Sequence, residues 1–281
     1  MLKSYFKLLR IKHYIKNVLV TAPLVFSQQL FNSTELICRI ILAFVCFSLI
    51  SSSVYIINDV MDRHQDAKHP VKCQRPIANG TISVISASVI AIILFIIAII
   101  SSLYLSISAL TILVIYYALN LAYCIKLKHI PVIEVAILAS GFVFRILYGG
   151  YATGVEVSSW LYLTVLSGSF YLGLGKRRNE LERFSDDKTR KVLSSYNSRF
   201  LDRNMYMFMA ATICFYSLWA MGQGKWATYS IPIVMIASMR YSLLVEGSSD
   251  GDPVDVILKD KMLLSLVAIY SVYILLAIYV L

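Results

Sequence analysis

Long apolar runs are the feature of this sequence that most restricts its fold. Of the 281 residues, 58% are hydrophobic and 15% are charged, and the charged residues are concentrated between the apolar runs. Runs of about 20 apolar residues have the length of a helix that crosses a bilayer. The alternating polarity of membrane β-strands is not seen. The sequence therefore predicts an all-α, polytopic membrane protein.

The apolar runs predict nine transmembrane helices in a single domain over residues 1–281. Their predicted positions are 16–31, 36–57, 83–101, 104–124, 131–152, 159–175, 205–222, 226–245 and 262–280. The first eight fall into two four-helix halves, at about 16–124 and 131–245, and each half carries a polar motif after its second helix. This spacing predicts a duplicated bundle, with the active site between the halves and a ninth helix at the end.

The basic residues predict the orientation of these helices. Of the 26 Lys and Arg residues, 23 lie in the N-terminal segment or in and beside the loops after even-numbered spans. By the positive-inside rule, the N-terminus and the long loops are cytoplasmic and the C-terminus lies outside. The net charge of +10 is therefore attributed to topology. No nucleic-acid partner is predicted, since no soluble module remains to present the charge.

The stretch Tyr55–Gly80 lies between two apolar runs and contains three aspartates. Asp59, Asp62 and Asp66 are spaced so that a helix would hold all three within about 60° of arc. Carboxylates on one face repel each other unless a cation lies among them, and Mg²⁺ prefers such oxygen ligands. The spacing therefore predicts a Mg²⁺ site. The alternative interpretation is that these aspartates only stabilise the N-terminus of a helix.

Basic residues within this stretch predict phosphate binding. Lys72 and Arg75 follow the aspartates, as expected for a metal-bound diphosphate that has a second anionic group to hold. A purely topological role is the alternative for this pair.

Lys16 and Asn17 stand at the start of the first predicted span, where they either point into a cytoplasmic cavity or belong to a segment anchored in the headgroup layer.

Charged residues at membrane depth supply further candidates. Glu134 and Arg145 are eleven residues apart, or about 16 Å along a helix, so each needs its own partner. Glu134 is the better site candidate, whereas Arg145 is either a site residue or a structural clamp. Lys176, Arg177 and Glu180 follow the sixth predicted span and share one side if that helix continues.

The remaining chemistry-bearing residues show no catalytic pattern. The five cysteines form no CxxC pair and are interpreted as small core residues. The four histidines show no metal-ligand spacing, and no nucleophile-elbow, Walker or dinucleotide motif occurs in a usable context. Most hydrolase and NTPase functions are thereby excluded.

The segment NDVMDRHQD (Asn58–Asp66) resembles the NDxxDxxxD signature of the UbiA superfamily of intramembrane prenyltransferases. The resemblance implies helices around a cytoplasm-facing cavity, with Mg²⁺ and a diphosphate held by the aspartates. It implies a catalytic role for Asn58, Asp59, Asp62 and Asp66.

Four further segments resemble a narrower branch, the decaprenyl-phosphate phosphoribosyltransferases. They are KNxxVxxP (Lys16–Pro23), HPxKxxRP (His69–Pro76), GFVFR (Gly141–Arg145) and KRxxEL (Lys176–Leu181). This branch transfers 5-phosphoribose from phosphoribosyl diphosphate to a polyprenyl phosphate in bacterial cell-envelope synthesis. The resemblance thus implies an enzyme of the bacterial inner membrane. The substrate-binding set would be Lys16, Asn17, Lys72, Arg75, Glu134, Arg145, Lys176, Arg177 and Glu180.

The charge of this set favours the narrower branch. The aromatic prenyltransferases carry a second acidic motif after the sixth span, whereas this chain has KRRNEL (Lys176–Leu181) there. Cations at this place suit substrates with several phosphate groups. The alternatives are a prenyltransferase with an aromatic acceptor and, in another class, a transporter. Self-association into a homo-oligomer stays open.

Overall fold

The structure, a computed structural model, describes residues 2–68, 71–183, 191–247 and 252–281. Within these ranges the chain forms helices joined by turns, and none of the residues belongs to a β-strand. The predicted all-α fold is therefore confirmed. His69 and Pro70 of the HPxKxxRP segment lie outside the described residues.

The first part of the chain combines α-helices with one long 3₁₀ segment. In chain order these are α1 (Leu2–Leu9), the 3₁₀ segment (Ile11–Thr21), α2 (Ala22–Phe26), α3 (Thr34–Met61), α4 (Arg63–Asp66), α5 (Val84–Leu103), α6 (Ile107–Ile125) and α7 (Ile133–Thr153). Ser33, Ser83 and Ser106 precede α3, α5 and α6, and each side chain accepts a backbone N–H from the first turn. Such caps stabilise a helix start that has no carbonyl partner of its own.

The second part of the chain is also helical. Its helices are α8 (Ser159–Arg183), α9 (Ser198–Gln223), α10 (Lys225–Thr228), α11 (Ile231–Glu246), α12 (Pro253–Lys259) and α13 (Lys261–Tyr279). Asn197, Asp252 and Asp260 cap α9, α12 and α13 through their side-chain oxygens. Short polar residues therefore define where α9, α12 and α13 begin.

Seven helical stretches among the described residues are long and apolar enough to cross a membrane. They are α3, α5, α6, α7, α9, α10 together with α11, and α13. Each coincides with one of the nine predicted spans. A multi-pass membrane protein is thus the class that the described helices support.

The other two predicted spans differ from expectation, so the count of nine is not confirmed. The span predicted at 16–31 is not one helix, because the 3₁₀ segment runs to Thr21 and is followed by the five-residue α2. The span predicted at 159–175 lies within α8. That helix is long, but its serines, glycines and charged C-terminal turns lower its hydropathy.

The chain divides into two compact units. Unit 1 comprises residues up to 128 together with 144–156, and unit 2 comprises 129–143 together with 157–281. The first half of α7 therefore belongs to unit 2 and its second half to unit 1.

In unit 1, α3 is the central helix. Its Phe47 and Ile50 are fully buried, and α5 and α6 pack beside it. Ser53 of α3 donates to the Ala91 carbonyl over 2.9 Å. Small hydroxyl side chains permit close helix packing and supply hydrogen bonds between helices in a bilayer. These contacts hold the end of α3 that leads into the acidic motif, which consists of Asp59, Asp62 and Asp66.

Gly149 lies where α7 approaches the 3₁₀ segment in unit 1. A Cβ atom at this position would lie 1.8 Å from the backbone oxygen of Val20, a clash that no rotamer change relieves.

We predict that Gly149→Ala lowers the free energy of unfolding by at least about 2 kcal/mol, within the range for overpacking. Thermal unfolding in nanodiscs measures the effect. Gly222→Ala is the control, since its added Cβ meets no atom within 4 Å, and equal losses in both variants would contradict the prediction.

Unit 2 is built around α8 and α9. Leu201 and Met205 of α9 are fully buried. Added Cβ atoms at Gly173 and Gly175 of α8 would lie 3.1 Å from Val135 and 3.3 Å from Val245, so glycine permits close packing here. This packing brings the start of α7 against the polar end of α8.

Candidate active site

The acidic motif lies at the end of α3 and in α4. The predicted continuous helix is interrupted at Asp62, whose backbone (φ −90°, ψ 3°) ends α3 before α4 begins at Arg63. Asp59 and Asp66 are each 3% exposed. Because buried carboxylates require compensation, the partners of these two side chains define the site.

Arg75 bridges the two buried aspartates. Its Nη1 atom donates to Asp59 Oδ1 over 2.9 Å and to Asp66 Oδ2 over 2.6 Å. The predicted association of Arg75 with the acidic motif is thus present in the structure. Lys72 lies exposed on a separate 3₁₀ turn, Lys72–Gln74, which directly precedes Arg75.

Two basic residues that sequence reasoning did not assign to the site also contact the aspartates. Arg10 Nη2 donates to Asp59 Oδ1 over 2.5 Å, and Lys128 Nζ lies 2.6 Å from Asp62 Oδ1. In the sequence, both belong to the basic residues that predict the topology. No local pattern marks either residue, because the contacts join segments distant in sequence.

Asn58 has a contact of its own. Its Oδ1 atom accepts a weak hydrogen bond from the buried Cys124 Sγ at 3.3 Å. Cys124 and Lys128 are four residues apart and meet Asn58 and Asp62, which are also four residues apart. The end of α6 and the turn after it therefore hold the acidic motif from one side.

Asn17 and Arg145 contact each other in the interior of unit 1. Arg145 Nε donates to Asn17 Oδ1 over 2.9 Å, and Asn17 Nδ2 donates to Ser48 Oγ over 3.0 Å. The guanidinium also lies over the rings of Phe47 and Tyr116, at 4.9 and 5.8 Å from their centroids. These contacts match the structural-clamp interpretation of Arg145. Substrate binding by the pair stays a prediction, as it does for the half-buried Lys16.

In unit 2, Arg177 is the centre of a buried ionic cluster. It is 1% exposed, and Glu134 is fully buried. Arg177 Nε lies 2.7 Å from Glu134 Oε1, and Nη2 lies 2.7 Å from Oε2, so the pairing is bidentate. Glu180 accepts from Nη1 of the same arginine. The expectation that Glu134 and Arg145 have separate partners is confirmed.

Lys176 lies apart from the bidentate pair. Its Nζ atom is 3.8 Å from Asp252 Oδ2, and its side chain is 34% exposed. Of the three residues predicted to share one side of the helix, Arg177 and Glu180 meet, and Lys176 points towards another acid.

Tyr196 is a further member of the unit 2 cluster that the sequence did not indicate. Its hydroxyl accepts the Val132 N–H over 2.7 Å and donates to Glu134 Oε1 over 3.4 Å. Val132 has φ of 66°, a rare conformation for a β-branched residue. Burial raises the pKa of Tyr196, so its hydroxyl keeps the proton that it donates at neutral pH.

Tyr196→Phe should therefore destabilise the protein. Loss of the hydroxyl leaves the Val132 N–H and one glutamate oxygen with one partner fewer, at an expected cost of about 1–3 kcal/mol. Thermal unfolding of the purified protein measures the loss. Tyr229→Phe, at an exposed position, is the control, and indistinguishable melting temperatures would contradict the expectation.

The acidic motif fits a divalent cation in part. Oxygens of Asp59 and Asp66 already converge on one positively charged atom, Nη1 of Arg75, and hard oxygen donors of this kind suit Mg²⁺. In the part of the chain that the structure describes, no three His, Cys, Asp or Glu side chains converge as a metal site. Asp62 faces Lys128 instead. The two buried aspartates are the residues that would hold the ion.

A sequence profile of the UbiA prenyltransferase family matches residues 18–277. The chain belongs to the UbiA prenyltransferase family. It is therefore a transferase and a multi-pass membrane protein, which favours the enzyme over the transporter among the functions predicted from sequence.

Two bacterial relatives match nearly the whole chain. The decaprenyl-phosphate phosphoribosyltransferase of Mycobacterium tuberculosis is 35% identical over 267 residues, which cover 92% of this chain and 88% of that protein. The protein of the same name from Corynebacterium glutamicum is 35% identical over 286 residues, covering 98% and 86%.

Solved structures of UbiA homologues share the fold. A UbiA homologue from Archaeoglobus fulgidus, solved with DMAPP and Mg²⁺, aligns with a TM-score of 0.74 over 99% of this chain and all of that chain, at 18% identity. At this identity the likeness establishes the fold, which is the UbiA fold expected from the sequence.

Proposed function

We propose that this enzyme transfers 5-phosphoribose from phosphoribosyl diphosphate to a polyprenyl phosphate, with release of diphosphate. The observation that carries the proposal is the 35% identity, over 92% and 98% of this chain, to two proteins named decaprenyl-phosphate phosphoribosyltransferase. Mg²⁺ dependence and a role in bacterial cell-envelope synthesis are parts of the same proposal.

The acidic motif is proposed as the diphosphate site. Asp59 and Asp66 would hold Mg²⁺, with Asp62 completing the acidic set. When bound, the metal stabilises the charge that develops on the leaving diphosphate. Arg75 lies between the two buried aspartates, which supports the proposed role of its guanidinium in binding a phosphate oxygen of the donor.

The chemistry requires little acid–base help from the protein. A phosphate oxygen of the lipid attacks C1 of the ribose, and the bond from C1 to the diphosphate oxygen breaks with its electron pair on the diphosphate. The transition state resembles an oxocarbenium ion, as in other glycosyl transfers. Because the nucleophile is already anionic, no proton must be removed. The sequence contains no catalytic histidine motif, which agrees with this mechanism.

The basic residues of both units are proposed to bind phosphate groups. In unit 2, Glu134 and Glu180 fix the guanidinium of Arg177, so their proposed role is to orient this cation rather than to act as bases. Lys176 is more exposed and is proposed to contact a phosphate directly. In unit 1, Lys16 and Lys72 are assigned the same role.

The proposed orientation places the N-terminus and the active site in the cytoplasm. The distribution of Lys and Arg supports it, and the water-soluble donor is found there. A reporter enzyme that works only outside the cytoplasm should be active when it is fused to the C-terminus. Activity of a reporter that works only inside the cytoplasm, fused at the same end, would refute the orientation.

A transfer assay tests the proposed function. Membranes that contain the protein receive phosphoribosyl diphosphate labelled in the ribose, decaprenyl phosphate and Mg²⁺, and label should enter the lipid fraction. A parallel reaction contains labelled prenyl diphosphate and an aromatic acceptor. If label enters lipid only in the parallel reaction, the enzyme is a prenyltransferase and the proposal is wrong. Membranes with the Asp59→Asn variant are the control for background.

A further inference from the structure

Arg10 occupies a strained corner of unit 1. It lies between α1 and the 3₁₀ segment with φ of 52°, in the left-handed region that few non-glycine residues adopt. Strain of this kind persists where surrounding contacts impose it, and it is frequent at functional sites.

The contacts that impose this corner lie along one face of α3. Ser52, Tyr55 and Asp59 stand at i, i+3 and i+7 on that helix. Ser52 Oγ donates to the carbonyl of Leu9 over 2.8 Å. The Arg10 guanidinium lies 4.8 Å from the centre of the Tyr55 ring and donates to Asp59 Oδ1 over 2.5 Å. Backbone and guanidinium are therefore both positioned by α3.

Two cations share one oxygen of Asp59. Oδ1 accepts from Arg10 and from Arg75, and Arg75 also donates to Asp66. Two positive charges thus compensate two buried negative charges. A divalent cation at Asp59 would add two positive charges and compete with the two arginines for this carboxylate. Arg75 has two acidic partners, Asp59 and Asp66, whereas Asp59 is the acidic partner seen for Arg10 among the described residues.

We propose that Arg10 is an exchange cation of the diphosphate site. It neutralises Asp59 in the metal-free protein, and it moves to a phosphate oxygen of the donor when a divalent cation binds to Asp59. The inference rests on the proposed function only in requiring that the donor carry a diphosphate.

The exchange couples the two ligands. A metal ion that binds alone displaces Arg10 without offering a new anion, and a charge left uncompensated in a largely buried place is costly. Diphosphate supplies that anion. Each ligand therefore increases the affinity for the other by the same factor, because coupling free energies are reciprocal.

Binding to the full-length protein in nanodiscs tests the exchange. EPR measures Mn²⁺ binding without other ligands, and equilibrium dialysis measures labelled inorganic pyrophosphate with and without Mn²⁺, corrected for the complex that the two form in solution. The variant is Arg10→Asn, since asparagine tolerates left-handed backbone. The matched control is Lys7→Gln, which removes an exposed charge three residues earlier.

We expect Arg10→Asn to bind Mn²⁺ alone about tenfold more tightly than the wild type, and to lose a similar factor from the Mn²⁺-dependent gain in pyrophosphate affinity. Lys7→Gln should match the wild type in both measurements. Arg10→Lys keeps the charge and should retain most of the coupling, which keeps the test valid if Arg10→Asn does not fold.

Unchanged or weaker Mn²⁺ binding by Arg10→Asn, or an equal effect of Lys7→Gln, would overturn the exchange. Loss of coupling in Arg10→Lys would overturn it as well. Because inorganic pyrophosphate replaces the donor, a failed phosphoribosyl transfer assay refutes the proposed function without changing these outcomes.

Discussion

Asp59→Asn should lower phosphoribosyl transfer by about 10²- to 10³-fold, the scale for loss of one preorganised electrostatic contact at a reaction centre. Asparagine has nearly the shape of aspartate and still accepts hydrogen bonds, but it lacks the negative charge that would hold a metal ion. Asp59 is buried and contacts both Arg10 and Arg75. Because water has little access to this place, it cannot compensate for the lost carboxylate charge. The labelled transfer assay over a series of Mg²⁺ concentrations measures the loss.

The expected loss of transfer activity differs among the aspartates of the motif. Asp66→Asn should match Asp59→Asn, because both side chains converge on Arg75. Asp62→Asn should cost less, since Asp62 faces Lys128. Glu35→Gln, at the exposed opposite end of α3, is the control and should keep full activity. Full activity of Asp59→Asn with a normal response to Mg²⁺ would refute the assigned metal site.

Arg177→Met should destabilise the protein by about 3–5 kcal/mol, the cost of removing one partner from a buried ion pair. Arg177 is 1% exposed and carries the bidentate contact with the fully buried Glu134. Without the guanidinium, that carboxylate is left in the interior without its cation. Glu134→Gln should have an effect of similar size. Thermal unfolding in nanodiscs provides the comparison.

The double variant Glu134→Leu, Arg177→Met separates stability from function. Replacing both buried charges by apolar side chains of similar volume often restores stability, so the melting temperature should recover while transfer activity does not. Glu182→Gln is the control for a partly exposed pair, with an expected change below about 1 kcal/mol. If the double variant regains activity, Arg177 has no role in phosphate binding.

The class of the protein and most of its helices could be predicted from the sequence because hydropathy and helix length are local properties. Seven predicted spans coincide with helical stretches that are long and apolar enough to cross a membrane. The prediction of a single helix at 16–31 was wrong, and no local sequence pattern indicated the 3₁₀ segment that replaces its first part. The 3₁₀ segment packs so closely on Gly149 that no side chain fits between them, and such an approach depends on residues far away in the chain.

The acidic motif was visible in the sequence because three aspartates at helical spacing form a local pattern, and Arg75 lies close enough in sequence to be associated with it. Only the tertiary structure identified Arg10 and Lys128 as partners of the aspartates. These residues are separated from Asp59 and Asp62 by 49 and 66 positions. A charge on a surface anchor and a charge at a buried site look the same in a sequence, since the difference lies in the carboxylate that folding brings beside it.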